Sequence, residues 1–274
     1  MDSNTFTLNT QTTMPAIGFG TWRVTPDSAA TEAATEALQI GYRHIDTAKI
    51  YTNEKGVGAA IAAAGIPRAD LFVTTKLWNQ DQGYESGLAA IDESLANLGL
   101  DYVDLYLIHW PQTDTRADAW KAMQEIHASG KAKAVGVSNY TIRHLEELLA
   151  SSELVPAVNQ VEFHPYIYEQ QKELLAYCKQ KGIVVEAYSP LARHSRDVDE
   201  RIAKIAEQHG KTASQVILRW CLQHGTAPLP RSTNPEHIKE NFEIFDFQLS
   251  DADMETLNSF SDGERITTDP ETLA

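Results

Sequence analysis

Three stretches carry the reading of this chain: Tyr42-Arg43-His44-Ile45-Asp46, Leu71-Phe72-Val73-Thr74-Thr75-Lys76 and Tyr106-Leu107-Ile108-His109. Each has strand length, is rich in β-branched and aromatic residues, and runs into a polar residue able to move or steer a proton. Each is followed by a segment of helical character. In a parallel barrel the side chains just past the carboxyl ends of the strands converge on one face. A carboxylate, an ammonium and an imidazole from three separate strands are therefore expected to meet.

The same strand-then-helix rhythm extends in both directions. Strands are expected at 16–20, 42–46, 71–76, 103–108, 132–137, 157–161, 183–187 and 227–230. Helices are expected at 28–40, 54–64, 83–98, 116–129, 141–149, 169–181, 212–223 and 235–241, with extra ones near 199–208 and 251–260. Leu88, Ile91, Leu95 and Leu98 fall on one helical face, as do Trp120, Met123 and Ile126. Gly41, Gly65, Gly99, Gly130 and Gly182 stand where helices should end. Thr5–Thr13 reads as a hairpin plugging one barrel end. Eight strands with eight crossovers predict an α/β fold, a single (β/α)8 TIM barrel over residues 1–274 with an N-terminal hairpin and extra C-terminal helices. An open doubly wound sheet is the alternative, because strand count does not establish closure.

The 274 residues suit one large barrel. A net charge of −15 disfavours nucleic acid and anionic membrane as partners. No apolar run has membrane-spanning length and no secretory signal is visible, so a cytoplasmic protein is expected. Cys178 and Cys221 lie in expected helices and read as reduced, packed thiols.

Asp46, Tyr51, Lys76 and His109 form a coherent chemical set. A phenol holds its proton too tightly for catalysis near neutrality. A nearby ammonium lowers its pKa; Lys76 is expected to supply that charge and Asp46 to aim it. His109 can hydrogen-bond a substrate oxygen. Such a group protonates an oxygen that gains electrons, as in carbonyl reduction, with hydride from a cofactor because no side chain can give one. Taken singly, each residue is more often a cap, a packing ring or a solvated strand end; three matching polar intrusions at strand ends are harder to explain that way.

Gly18-Phe19-Gly20-Thr21-Trp22, Gly41 through Ala48, Thr75-Lys76-Leu77-Trp78, Leu107-Ile108-His109-Trp110-Pro111, Gly136-Val137-Ser138-Asn139-Tyr140, Asn159-Gln160, Tyr188-Ser189-Pro190-Leu191 and Leu229-Pro230-Arg231-Ser232 occur in this order. In them the chain resembles the aldo-keto reductase superfamily, and in particular its microbial members of the 2,5-diketogluconate reductase type. The resemblance implies Asp46, Tyr51, Lys76 and His109 as the catalytic tetrad of an NADPH-dependent reductase of aldehydes and ketones. It implies a nicotinamide site at Ser138, Asn139, Gln160 and Tyr188. Ser189, Pro190 and Leu191 would line the pyrophosphate, and Gly20, Thr21, Trp22 and Asp46 would border the ribose. Arg231, Ser232, Thr233, His237, Glu240 and Asn241 would take the adenosine end. No Gly-x-Gly-x-x-Gly fingerprint opens a βαβ unit; Gly56-Val57-Gly58 reads as helix packing.

Many NADPH-using relatives carry lysine then arginine in the adenosine stretch. This chain has Arg231 and His237, so NADPH with appreciable NADH use is expected. Trp22, Trp78 and Trp110, with Tyr51 and His109, are expected to line the substrate pocket, whereas Trp120 and Trp220 pack. Short loops after strands four and seven imply an open site for aldehydes, 2-oxo aldehydes or keto sugar acids, with the tail at Ser261–Arg265 folding over it. Arg193 or Arg23 could attract a carboxylate. A monomer is expected by analogy. The rival readings are a regulatory or scaffolding barrel that binds NADP with little turnover, and a lyase using Lys76 as a Schiff base.

Overall fold

The computed structural model describes residues 4–194 and 199–272. It opens with a hairpin, β1 (Thr5–Thr7) and β2 (Thr13–Pro15), paired antiparallel. Eight parallel strands follow: β3 (Phe19–Gly20), β4 (His44–Asp46), β5 (Phe72–Leu77), β6 (Val103–Ile108), β7 (Ala132–Ser138), β8 (Val158–Glu162), β9 (Val184–Tyr188) and β10 (Thr226–Leu229). Each pairs with its neighbour in chain order. The amides of Gly18 and Gly20 donate to the carbonyls of Pro228 and Pro230 at 3.1 and 3.0 Å, which joins the last strand to the first and closes the ring. The barrel therefore holds over the open sheet. The first strand is shorter than its 16–20 expectation because these closing bonds, and not a longer ladder, seat Gly18 and Gly20.

Helices α1 (Asp27–Ile40), α2 (Glu54–Ala63), α3 (Tyr84–Leu98), α4 (Arg116–Ala128), α5 (Ile142–Ser151) and α6 (Tyr168–Lys181) follow β3 to β8 in turn. Two helices, α7 (Glu200–His209) and α8 (Ala213–Gln223), fill the β9–β10 crossover, and α9 (Pro235–Phe242) and α10 (Asp251–Asn258) follow β10. Ile91, Leu95, Leu98, Trp120, Met123, Ile126 and Trp220 are buried as their spacing requires. Gly99 shows why glycine ends these helices. At φ 65° it takes the left-handed conformation, and the amide of Leu100 then reaches the carbonyl of Leu95 at 3.1 Å. Gly56 and Gly58 are packing glycines: a Cβ on them would lie 2.3 Å from the carbonyl oxygen of Asp27 and 2.2 Å from that of Leu98. No larger residue lets α2 lie so close to its neighbours.

The hairpin plugs the lower barrel end. Leu8 and Met14 are buried against Phe72, Leu105, Leu107, Ala134, Ala157, Val158 and Ala227 from five barrel strands and their edges. A sealed, apolar lower half leaves the carboxyl ends of the strands as the face where polar side chains collect. Cys178 and Cys221 are buried and unbridged. Among the described residues no helix is long and apolar enough to cross a membrane.

Candidate active site

The strand ends deliver the expected group. Asp46 closes β4 and is 3 % exposed; Lys76, one residue before the end of β5, is fully buried. Lys76 Nζ donates to both carboxylate oxygens of Asp46 at 2.7 Å and to the carbonyl of Thr47 at 2.9 Å. All three ammonium hydrogens are thereby used, so the charge is both paired and aimed. A short 3-10 turn, Lys49–Tyr51, follows β4 and swings Tyr51 back over the strand ends. Lys76 Nζ lies 5.1 Å from the centre of the Tyr51 ring. His109, one residue past β6, meets the Tyr51 ring edge-on at 5.7 Å and that of Trp78 at 5.3 Å.

Burial, followed by the Asp46 carboxylate, pushes the Tyr51 phenol well above its ordinary pKa. Lys76, expected from the sequence to lower it, does not. The bidentate Asp46 cancels that field, and loss of water opposes phenolate formation further. The phenol thus keeps its proton. His109 is held well below the ordinary imidazole range by burial and then by Lys76, so it stands neutral. A neutral imidazole offers one N–H to an oxygen without bringing a second charge.

The tetrad sits at one end of a cavity of about 870 Å³. Trp22, Trp78, Trp110, Tyr51 and His109 all line it, with Ile50 and Arg23 at the mouth. Ser138, Asn139 and Gln160 line its middle. Ser138 Oγ donates to the carbonyl of Gln160 at 2.8 Å, and Asn139 Nδ2 to the carbonyl of His109 at 3.0 Å. Asn139 holds a left-handed φ of 64° and Ser189 one of 50°. Strained backbone at non-glycine residues tends to gather at functional sites. Tyr188 donates from its hydroxyl to Asn139 Oδ1 at 2.8 Å and pairs with Thr267 at 2.9 Å. Pro190 and Leu191 continue the wall towards Arg231, Ser232, Thr233, His237, Glu240 and Asn241, which close the far end beside α9.

Thr21 departs from this arrangement. It is fully buried away from the cavity, and its amide and hydroxyl donate to the carbonyl of Asp46 at 3.0 and 2.9 Å. It fixes the end of β4 and is not among the residues lining the cavity.

Several residues of the site carried no signal in the sequence reading. Ser214, Asn234 and Thr267 also line the cavity. The tail is tied by the buried Glu162, whose carboxylate accepts from the amides of Ile266 and Thr267 at 2.7 and 3.0 Å. The expected strap at Ser261–Arg265 thus runs on to Thr267. The loop after β9 lies partly outside the described residues. Glu186, two residues before Tyr188 on the inward face of β9, is fully buried beneath Asp46. A lone carboxylate in an otherwise apolar strand was the mark that could have found it.

A parallel barrel whose strand ends hold an acid, its ammonium partner and a neutral imidazole beside a long polar-and-aromatic groove defines an oxidoreductase of the barrel type. The family model of the Aldo/keto reductase family matches residues 16–262. The chain is 48% identical over 270 residues to a glyoxal reductase of Bacillus subtilis, covering 98% of this chain and 97% of that one. It is 48% identical over 278 residues to a morphine 6-dehydrogenase of Pseudomonas putida, covering 96% and 93%. Among solved structures, an aldo-keto reductase of Bombyx mori in complex with NADP aligns with a TM-score of 0.91 at 35% identity, covering 98% and 96%. The chain belongs to the aldo/keto reductase family and is an NADPH-dependent oxidoreductase that reduces carbonyl groups.

Proposed function

We propose that Tyr51 is the proton donor to the carbonyl oxygen, that His109 orients that oxygen, and that Lys76 and Asp46 hold the donor's environment. The observation that carries this is the buried Lys76, gripped at 2.7 Å by both oxygens of Asp46, directly under the Tyr51 ring. When bound, the reduced nicotinamide supplies a hydride to the carbonyl carbon. The protein's part is to set the carbonyl over the ring, exclude water with the three tryptophans, and deliver the phenolic proton as negative charge grows on oxygen.

The groove fits the dinucleotide. Its volume lies in the range of cofactor sites. Ser138, Asn139 and Gln160 provide hydrogen-bonding groups for the carboxamide, Tyr188 a flat ring for stacking, and Arg231 a fixed cation for phosphate. At the adenosine end Arg231 is joined by His237 in place of a second permanent cation, which supports a preference for NADPH relaxed towards NADH. Thr21 acts through Asp46 and not on the ribose directly.

The substrates are small aldehydes and ketones, including 2-oxo aldehydes and keto sugar acids. An aromatic mouth with Ile50 at its edge supports an apolar or sugar-like body, and Arg23 and Arg193, each stacked on Trp22 at 4.3 and 4.2 Å, give a carboxylate a place to rest. The test is a panel of glyoxal, methylglyoxal, aromatic aldehydes and keto acids, each followed by oxidation of NADPH and of NADH. Activity across the aldehydes with both donors is expected; absence of turnover with every carbonyl would overturn the reading.

A further inference from the structure

Beneath the tetrad lies a second carboxyl group that the proton-transfer chemistry does not use. Gln160 Nε2 donates to Asp46 Oδ2 at 2.9 Å and to Glu186 Oε2 at 2.7 Å. Gln160 on β8 thus bridges β4 and β9. Among the described residues Glu186 Oε1 has no hydrogen-bond partner; it lies 3.6 Å from His44 Nε2, which itself pairs with Thr74 Oγ1 at 3.0 Å. We propose that Glu186 is a positioning residue: it locks the amide of Gln160 with its nitrogen inward, so that Gln160 presents only its oxygen to the cofactor's carboxamide.

The orientation follows from chemistry. The ionised Asp46 needs a donor on its Oδ2, and only the amide nitrogen of Gln160 can give one. With Asp46 alone that nitrogen would use a single hydrogen. A flip would cost one bond, and the amide could turn its nitrogen to the cavity. Glu186 takes the second hydrogen and doubles the penalty. Burial, then the nearby Asp46 charge, raises the Glu186 carboxyl to about 8, against the opposing pull of Gln160 and Lys76. With Oε2 taken by Gln160, Oε1 is the oxygen left to carry the proton of the neutral acid, facing away from the amide. A neutral acid can thus accept from Gln160 without adding a charge beside the Asp46–Lys76 pair. The groups facing it are His44 and Asp46 on β4, Lys76 on β5 and Gln160 on β8. His44 is held down to about 3 by burial and Lys76 and carries no charge.

The consequence concerns which hydrogens the site reads. A locked Gln160 accepts an N–H from the carboxamide, so a cofactor that keeps the carbonyl but lacks the N–H should bind worse. The probe is the 3-acetylpyridine analogue of NADP+, compared with NADP+ by equilibrium quenching of tryptophan fluorescence, which needs no turnover. The inference rests on the assignment of Gln160 to the carboxamide. The wild-type protein should prefer NADP+ about three- to tenfold, the size of one hydrogen bond. In Glu186→Leu only the bond to Asp46 still holds the amide, and the preference should shrink. In Glu186→Gln, whose amide mimics the neutral acid, it should return. Glu186→Thr, too short to reach Gln160 and smaller than the native residue, replaces the leucine variant should that one not fold. Equal affinity for both dinucleotides in the wild type would remove the Gln160 assignment itself. A wild-type preference that persists in full in the leucine or threonine variant would instead refute the role of Glu186, as would a glutamine variant behaving like leucine.

Discussion

Replacing Lys76 with methionine separates the two jobs this residue holds. Its ammonium makes three bonds, two to Asp46 at 2.7 Å and one to Thr47 at 2.9 Å, with no access to water. Methionine has a similar volume and leaves no large cavity, so the loss is electrostatic. Asp46 keeps only the bond from Gln160 and becomes a buried charge without a counter-ion. Breaking one side of such a pair costs about 3–5 kcal/mol. At about 2–4 °C per kcal/mol for a domain of this general size, Tm should fall by roughly 10 °C. Turnover should fall by about 10²–10⁴, the usual worth of an organised acid. Removing the stranded charge as well, in Asp46→Asn/Lys76→Met, should recover much of the stability, because two neutral groups no longer demand each other. It should recover none of the turnover. Chemical denaturation of both single variants and the double, with single-turnover rates for each, completes the cycle. A double variant as unstable as Lys76→Met, or a lysine-free protein reducing aldehydes at the native rate, would refute the reasoning.

Tyr51→Phe should fold normally and bind NADPH as tightly as the native chain, while reduction falls about 10²–10⁴-fold; near-native turnover would remove Tyr51 as the acid. His44 is held neutral to about pH 3 by burial and Lys76, whereas an unfolded histidine takes up its proton near 6.5. Between those values the unfolded state binds the extra proton, so stability falls with falling pH, by about 1.4 kcal/mol per unit for one group. His109 adds in the same sense, and His44→Gln should flatten the slope of urea-derived stability between pH 6 and 4 by about one proton. An unchanged slope would contradict the assignment. His237→Arg should raise the ratio of NADPH to NADH efficiency about tenfold by adding a permanent cation beside Arg231; no change would place the 2′-phosphate elsewhere.

Most of the architecture was legible because helix and strand leave different periods in the sequence. The Leu88–Leu98 stripe, the Trp120–Ile126 stripe and the glycines Gly41, Gly65, Gly99, Gly130 and Gly182 mark elements whose burial and ends match the structure closely. The chemistry-bearing residues were legible for a related reason: a polar residue closing an apolar strand stands out along the chain. The direction of the Thr21 side chain was not legible, because adjacency in a motif does not tell which face of the turn a side chain takes. Its hydroxyl turns in to hold Asp46, where the neighbouring Trp22 turns out to the cavity.

The order of strands and helices, and the carboxylate, the ammonium and the imidazole at the strand ends, belong to the linear sequence. That information is local, carried by spacing, propensity and residue type. Closure through Gly18 and Gly20, the protonated state of Tyr51, and the Asp46–Gln160–Glu186 bridge were decided only by the folded barrel. They depend on distances between residues far apart in the chain, such as Gly18 and Pro228 or Gly20 and Pro230, and on the exclusion of water, and neither quantity is written in any one segment.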